Sequence, residues 1–153
     1  MTNADVRKMI IEILNSPIEE LKQTHPTVAD HGTRFIEYTE KGDLTLEFTI
    51  KPEYRNGGHI LQGGVLASFI DDTFGLFSFV ATGGTAPLST TNLSVNYHKA
   101  VPEGVDKIIV TSHIITAGKN VLSMSAEAKN EAGQLIATAQ TNMINLNHVR
   151  IYI

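Results

Sequence analysis

Hydrophobic residues in the first part of the chain repeat at helical spacing. Val6, Met9, Ile10, Ile13 and Leu14 fall on one face of a helix over 5–15. Pro17 stops or kinks it, and Ile18 to Leu21 add at most another turn before Pro26. From residue 33 the period shortens to two. Arg34 to Thr39 is β-prone, Lys41-Gly42-Asp43 has turn chemistry, and Leu44, Leu46, Phe48 and Ile50 alternate with Thr45, Glu47 and Thr49. An irregular stretch over 52–61 contains Asn56-Gly57-Gly58, and a long apolar run follows over 63–81. Four strands complete the pattern: 88–99, 107–116, 121–129 and 134–146. They are separated by Pro102-Glu103-Gly104, Ala117-Gly118-Lys119-Asn120 and Asn130-Glu131-Ala132-Gly133. Runs of strands around one long helix predict an α+β fold with an antiparallel sheet, preceded by an extra N-terminal helical extension over about 1–25.

Plotted at 100° per residue, the apolar positions of 63–81 cover almost the whole circumference, so this helix is expected to be buried on all sides. It holds four of the six phenylalanines, and yet Asp71 and Asp72 stand in its middle. Aspartate is a poor interior helix former, and a buried carboxylate costs several kcal/mol unless it is paired or hydrated. No Lys or Arg lies within a turn of either acid. A conflict of this kind between local preference and burial tends to mark a functional site. Gly64, Ala67, Ser68, Gly75 and Ser78 flank Asp71 at helical offsets and leave a shallow groove along its stripe. Two uses of the acids stay open: catalysis, or capping of backbone amides and contact with another subunit.

The start of the same helix carries Gly63-Gly64, where first-turn N–H groups are free and the backbone can be approached closely. Such a terminus can stabilise negative charge on a carbonyl oxygen, or it can be a plain tight turn. Gly63 and Asp71 are eight residues apart, ~12 Å along a helix axis. A reacting carbonyl needs its oxyanion donor and its base each within about 3 Å. If both act on one carbonyl, two antiparallel helices from two subunits must face each other, which predicts a two-fold dimer with composite sites.

At these residues the chain resembles the hot-dog fold thioesterases, in particular the phenylacetyl-CoA (PaaI-type) branch. That family's pattern is an Asn, a His-Gly-Gly six residues on, and an acid eight residues beyond the first Gly. Here it reads Asn56-Gly-Gly-His-Ile-Leu-Gln62-Gly63-Gly64, then Asp71. The strand from Ser89 through Thr90, Thr91 and Tyr97 to Val101 fits the family's next strand, and the resemblance covers roughly 30–147. It implies one hot-dog domain over 1–153, an antiparallel sheet wrapped around one central helix. It also implies hydrolysis of acyl-CoA thioesters with aryl or medium-chain acyl groups. Asp71 would be the general base or nucleophile, and the Gly63 N–H would polarise the carbonyl. Asn56 would help bind that carbonyl, and Thr90 would orient water, with Thr91 as the alternative. Gln62, Gly64 and Ser68 would line the substrate. One position departs: the family's His is Gln62 here, which donates hydrogen bonds but does not titrate near neutrality.

Composition narrows the remaining classes. The 12 basic against 16 acidic side chains give a net charge of −4, which disfavours sequence-blind nucleic-acid binding. With no cysteine, thiolate metal sites and cysteine nucleophiles are excluded. The six histidines show no HxH or HxxxH spacing and are expected as surface or core residues. Gly58 to Gly63 lacks the Lys-Ser/Thr of a phosphate loop, and Ser68 lacks a G-x-S-x-G context. Arg55, Lys99 and Lys119 are candidates for coenzyme A phosphates, against ordinary solvated charges. Nothing at the start resembles a signal peptide, and no stretch of ~20 uncharged apolar residues is present, so a cytoplasmic protein is expected. Expected partners are the acyl-CoA substrate and further copies of the chain, as a homodimer and then a dimer of dimers (tetramer). Neither nucleic acid nor membrane is expected. No cofactor is expected beyond coenzyme A as part of the substrate. A hot-dog hydratase or dehydratase is the alternative within the fold, disfavoured by the missing His at 62. A non-catalytic acyl-CoA-binding module is the alternative outside it.

Overall fold

The computed structural model describes residues 1–152. Six strands form one antiparallel sheet: β1 (Arg34–Tyr38), β2 (Leu44–Thr49), β3 (Ser89–Tyr97), β4 (Lys107–Ala117), β5 (Val121–Asn130) and β6 (Leu135–Ile144). Their spatial order is β1-β2-β4-β5-β6-β3. The strand following the central helix therefore lies at the far edge, beside the last strand of the chain. The sheet curls around α4 (Gly63–Ala81), whose Phe69, Ile70, Phe74, Phe77 and Val80 are fully buried. Leu44, Leu46 and Phe48 on β2, Val110 on β4 and Met124 on β5 face them from the sheet. This is the α+β hot-dog architecture expected from the sequence. By length and hydropathy α4 matches a membrane span, but ten of its nineteen residues are buried, packed against the sheet, and it is the core helix. It is not buried on all sides as expected: the stripe of small residues through Gly64, Ala67, Asp71 and Gly75 stays partly open.

The N-terminal extension is longer and more divided than the sequence suggested. It comprises α1 (Asn3–Leu14), α2 (Ile18–Thr24) and α3 (Pro26–Asp30). A capping box opens α1: Thr2 accepts from the Asp5 N–H, and the Asp5 carboxylate accepts from the Thr2 N–H at 2.7 Å. Val6 and Ile10 bury the inner face of α1, and Arg7 lies over the Phe35 ring of β1. The other edge of the sheet, β3, pairs only with β6, and most of its nine residues are exposed.

Candidate active site

Gln62 precedes α4 in an extended conformation, and its side-chain Oε1 accepts the Val65 N–H at 2.9 Å. This cap satisfies the third amide of the helix and leaves the Gly63 and Gly64 N–H groups with no acceptor among the described residues. Both glycines are closely approached by neighbouring side chains. A Cβ at position 64 would stand 2.9 Å from Gln62 Oε1, and one at position 63 would stand 3.3 Å from the Tyr97 ring. Tyr97 at the end of β3 also donates its hydroxyl to the Gly63 carbonyl at 2.6 Å. A cavity of about 340 Å³ opens beside Gly63 and Tyr97, with Lys99 on its rim.

Two turns further along α4, Asp71 faces the start of β3. Thr90 Oγ1 donates to Asp71 Oδ1 at 3.2 Å, whereas Thr91 Oγ1 turns away to the Asn142 carbonyl. Half-burial raises the Asp71 carboxyl pKa above its ordinary value; the Thr90 hydrogen bond opposes this and the neighbouring Asp72 charge adds to it. The carboxylate opens onto a mainly apolar pocket of about 640 Å³ between α4, the β3 entrance and the α2–α3 junction. Gly75, one turn beyond Asp71, lines this pocket, and a Cβ there would meet nothing within 4 Å.

Asp72 is held by residues far away in sequence. Thr27 Oγ1 donates to its Oδ1 and His31 Nδ1 to its Oδ2, both at 2.6 Å. The His31 ring packs edge-on against Phe69, Phe48 and Tyr54, and its Nε2 lies 3.5 Å from Ser68 Oγ. Carboxylate, imidazole and hydroxyl thus stand in the order of a serine-hydrolase triad. The imidazole is sealed in the core, however, and neither His31 nor Ser68 lines the pocket at Asp71. The cluster ties elements together rather than attacking a substrate. Asn56 organises the glycine loop: its Oδ1 accepts from the Gly58 and Ile60 N–H groups, while its Nδ2 has no partner among the described residues. Arg55 donates to the carbonyls of His59, Val101 and Val105, so its guanidinium is committed to the fold and is not free for a phosphate.

Residues 58–137, just over half of the chain, match the family model described as the thioesterase superfamily. The chain belongs to that superfamily. This thioesterase is 30% identical over 114 residues to a protein of Archaeoglobus fulgidus named as an esterase, spanning 74% of this chain and 71% of that one. It is 28% identical over 97 residues to human acyl-coenzyme A thioesterase 13, spanning 63% and 68%. Its fold superposes with a TM-score of 0.73 on a phenylacetic acid degradation-related thioesterase structure from Ralstonia eutropha. There the identity is 20%, with 89% of this chain and 98% of the other covered.

In this thioesterase the structure brings Asp71 and Thr90 together at one pocket and Gly63, Gly64 and Gln62 together at the other end of α4. Within one chain the two groups do not meet. Sequence reasoning passed over Tyr97 and the Thr27–His31–Asp72 cluster. Asp72 itself was the signal: an acid in an apolar helix with no local partner needs one from elsewhere in the fold, and His31 is the buried candidate.

Proposed function

We propose that this thioesterase hydrolyses acyl-CoA thioesters carrying aryl or medium-chain acyl groups, at sites composed of two chains. The observation that carries this reading is the Asp71 carboxylate, hydrogen-bonded by Thr90 at the mouth of a mainly apolar pocket. The acyl-CoA name of the human relative supports the substrate class. Asp71 takes a proton from water positioned by Thr90, and the resulting hydroxide adds to the thioester carbonyl. The partner's α4 terminus receives the oxyanion on the paired Gly63 and Gly64 N–H groups, with Asn56 Nδ2 and Gln62 Nε2 as further donors. Collapse breaks the C–S bond, and the thiolate takes up the proton held by Asp71. Since Gln62 does not titrate, no second ionisation at that position shapes the rate.

Support for the two-chain arrangement comes from β3. It is a nine-residue edge strand whose outer hydrogen-bonding groups pair with nothing among the described residues, a ready template for a second copy. A homodimer, with a dimer of dimers above it, is the assembly we propose, in the cytoplasm. The direct test is release of free thiol from a panel of aryl- and alkyl-acyl-CoAs. Hydrolysis of some members is expected, whereas binding without thiol release would assign a non-catalytic acyl-CoA-binding role.

Two further outcomes follow from the site. Turnover should fall with acidification along a single limb whose midpoint lies above that of an ordinary aspartate, because Asp71 acts only when ionised and burial raises its pKa. A kcat–pH profile measures this, and a second limb that Gln62→His introduces would locate the missing titrating group. Tyr97→Phe should lower kcat about tenfold with little change in KM or melting temperature. The ring still packs on Gly63, but the hydroxyl that holds the Gly63 peptide is lost. Steady-state kinetics beside a thermal melt separate that from simple destabilisation.

A further inference from the structure

Residues 18–31 lie outside the matched family segment, yet five of them, Thr24 to Val28, form one wall of the pocket at Asp71. The helices that carry this wall have seven and five residues, too short to persist on their own hydrogen bonds. Asp72 anchors them to α4. We infer that Asp72 is a positioning residue whose bonds to Thr27 and His31 hold the α2–α3 junction as the wall of the acyl pocket, and that this wall sets which acyl groups fit. The inference rests on the reading of Asp71 as the reacting centre.

The two ends of the clamp differ in kind. His31 is buried and packed among three aromatic rings, so its grip on Asp72 is fixed by the core. Thr27 is exposed at the pocket rim, and its hydroxyl is the link between the core-anchored carboxylate and the wall. Successive residues on a helix point ~100° apart, which lets Asp71 face Thr90 while Asp72 faces α3. The same pocket is open on the α4 side at Gly75. A glycine there weakens the middle of a 19-residue helix, and no neighbour requires it, since a Cβ would meet nothing. The space it leaves continues the pocket one turn past the carboxylate.

The lining names the occupant. Pro26, Val28, Leu76, Phe79, Leu88 and Met143 suit a hydrocarbon or aryl group. Asp71 and Asp72, in the same lining on α4, repel an acyl group that ends in a second carboxylate. His25, edge-on to Phe79, has its pKa lowered by burial, so the wall offers no fixed cation to offset that repulsion. The substrate class is therefore an uncharged medium-chain or aryl acyl thioester, with dicarboxylic acyl groups rejected.

The test uses the full chain, its assembly intact, with a series of acyl-CoAs from acetyl to lauroyl plus succinyl-CoA. Gly75→Leu should lower kcat/KM for the longest accepted acyl group relative to acetyl by at least about tenfold, mostly through KM. Thr27→Val should broaden the length profile and speed hydrogen exchange at the Ala29 and His31 amides, which bond within the wall segment. Thr27→Ser keeps the hydroxyl and should restore both. An unchanged long-to-acetyl ratio in Gly75→Leu would overturn the inference. So would Thr27→Val matching the wild type in both profile and exchange, or succinyl-CoA turned over as well as a neutral chain of its length. If the wild type releases thiol from none of the series, the functional reading fails first; normal hydrolysis with indifferent variants removes the wall alone.

Discussion

Asp71→Asn is expected to reduce turnover on every accepted acyl-CoA by about 10²–10⁴-fold, the usual contribution of a general base, while leaving the protein at least as stable. The exchange keeps size and shape, and the new amide oxygen still accepts the Thr90 hydroxyl that the carboxylate accepts now. Stability moves in the opposite direction from activity for an electrostatic reason. Burial raises the Asp71 pKa in the folded chain, so the native state binds that proton more tightly than the unfolded chain does. Stability from this group is then full below the unfolded pKa and declines as pH rises through the folded one. At neutral pH the ionised carboxylate is therefore a cost to folding, and a neutral amide removes it. Thermal melts of both proteins should converge under acid conditions and diverge in favour of the variant near neutrality, a stability–activity trade at one side chain. A variant as active as the wild type would remove Asp71 from the reaction. A single turnover in ¹⁸O-water identifies a nucleophile if the label enters Asp71, because only attack by water on the aspartyl carbonyl of an acyl-aspartate puts it there; label in the released acid alone fits both a base and attack at the acyl carbon.

Much of this arrangement is legible in the sequence. The run over 63–81 reads as a core helix because its apolar residues surround it and its length exceeds that of any strand. The strands of the second half show their turns and alternation plainly, and β4 to β6 run within a few residues of their expected limits. The weakest pattern, over 88–99, belongs to the edge strand, where only Leu93 and Val95 turn toward the core. Pairing order is harder, since no local signal says that β3 crosses to lie beside β6.

Within the site, the ambiguity between Thr90 and Thr91 has a structural origin. Thr90 and Asn92 stand opposite Met143 and Asn142, so two residues on β3 span one on β6. Such a bulge breaks the two-residue alternation that would have told one threonine from the other. The clamp on Asp72 was hidden for another reason. Its partners lie 45 and 41 residues earlier, in elements too short to show a period, and long-range polar pairing leaves no trace in spacing. The leading segment accordingly shows only an apolar helical face in its spacing, whereas the α2–α3 junction walls the pocket.

The largest remaining effect concerns assembly. Hybrid dimers of Asp71→Ala and Gly63→Pro subunits should recover about half of the wild-type rate, although each variant alone is nearly inactive. One helix places its carboxylate ~12 Å from its own amide donors, beyond the reach of a single carbonyl. Two α4 helices related by a two-fold axis run antiparallel where they face each other, so each Asp71 can meet the other's Gly63. In a hybrid, one site joins two defective halves and the other joins two intact ones. Proline suits position 63 in most respects. It is the first helical residue, its N–H donates to nothing among the described residues, and Gln62 already has the extended conformation that precedes proline. The tight point is Tyr97, 3.3 Å from where the new Cβ would sit, so sedimentation and melting of each homodimer must accompany the assay. Co-expression with two affinity tags isolates the hybrid. Its failure to regain activity, with both parents dimeric and folded, would place base and oxyanion donor in the same chain and would require α4 to deform in a way its packed core opposes.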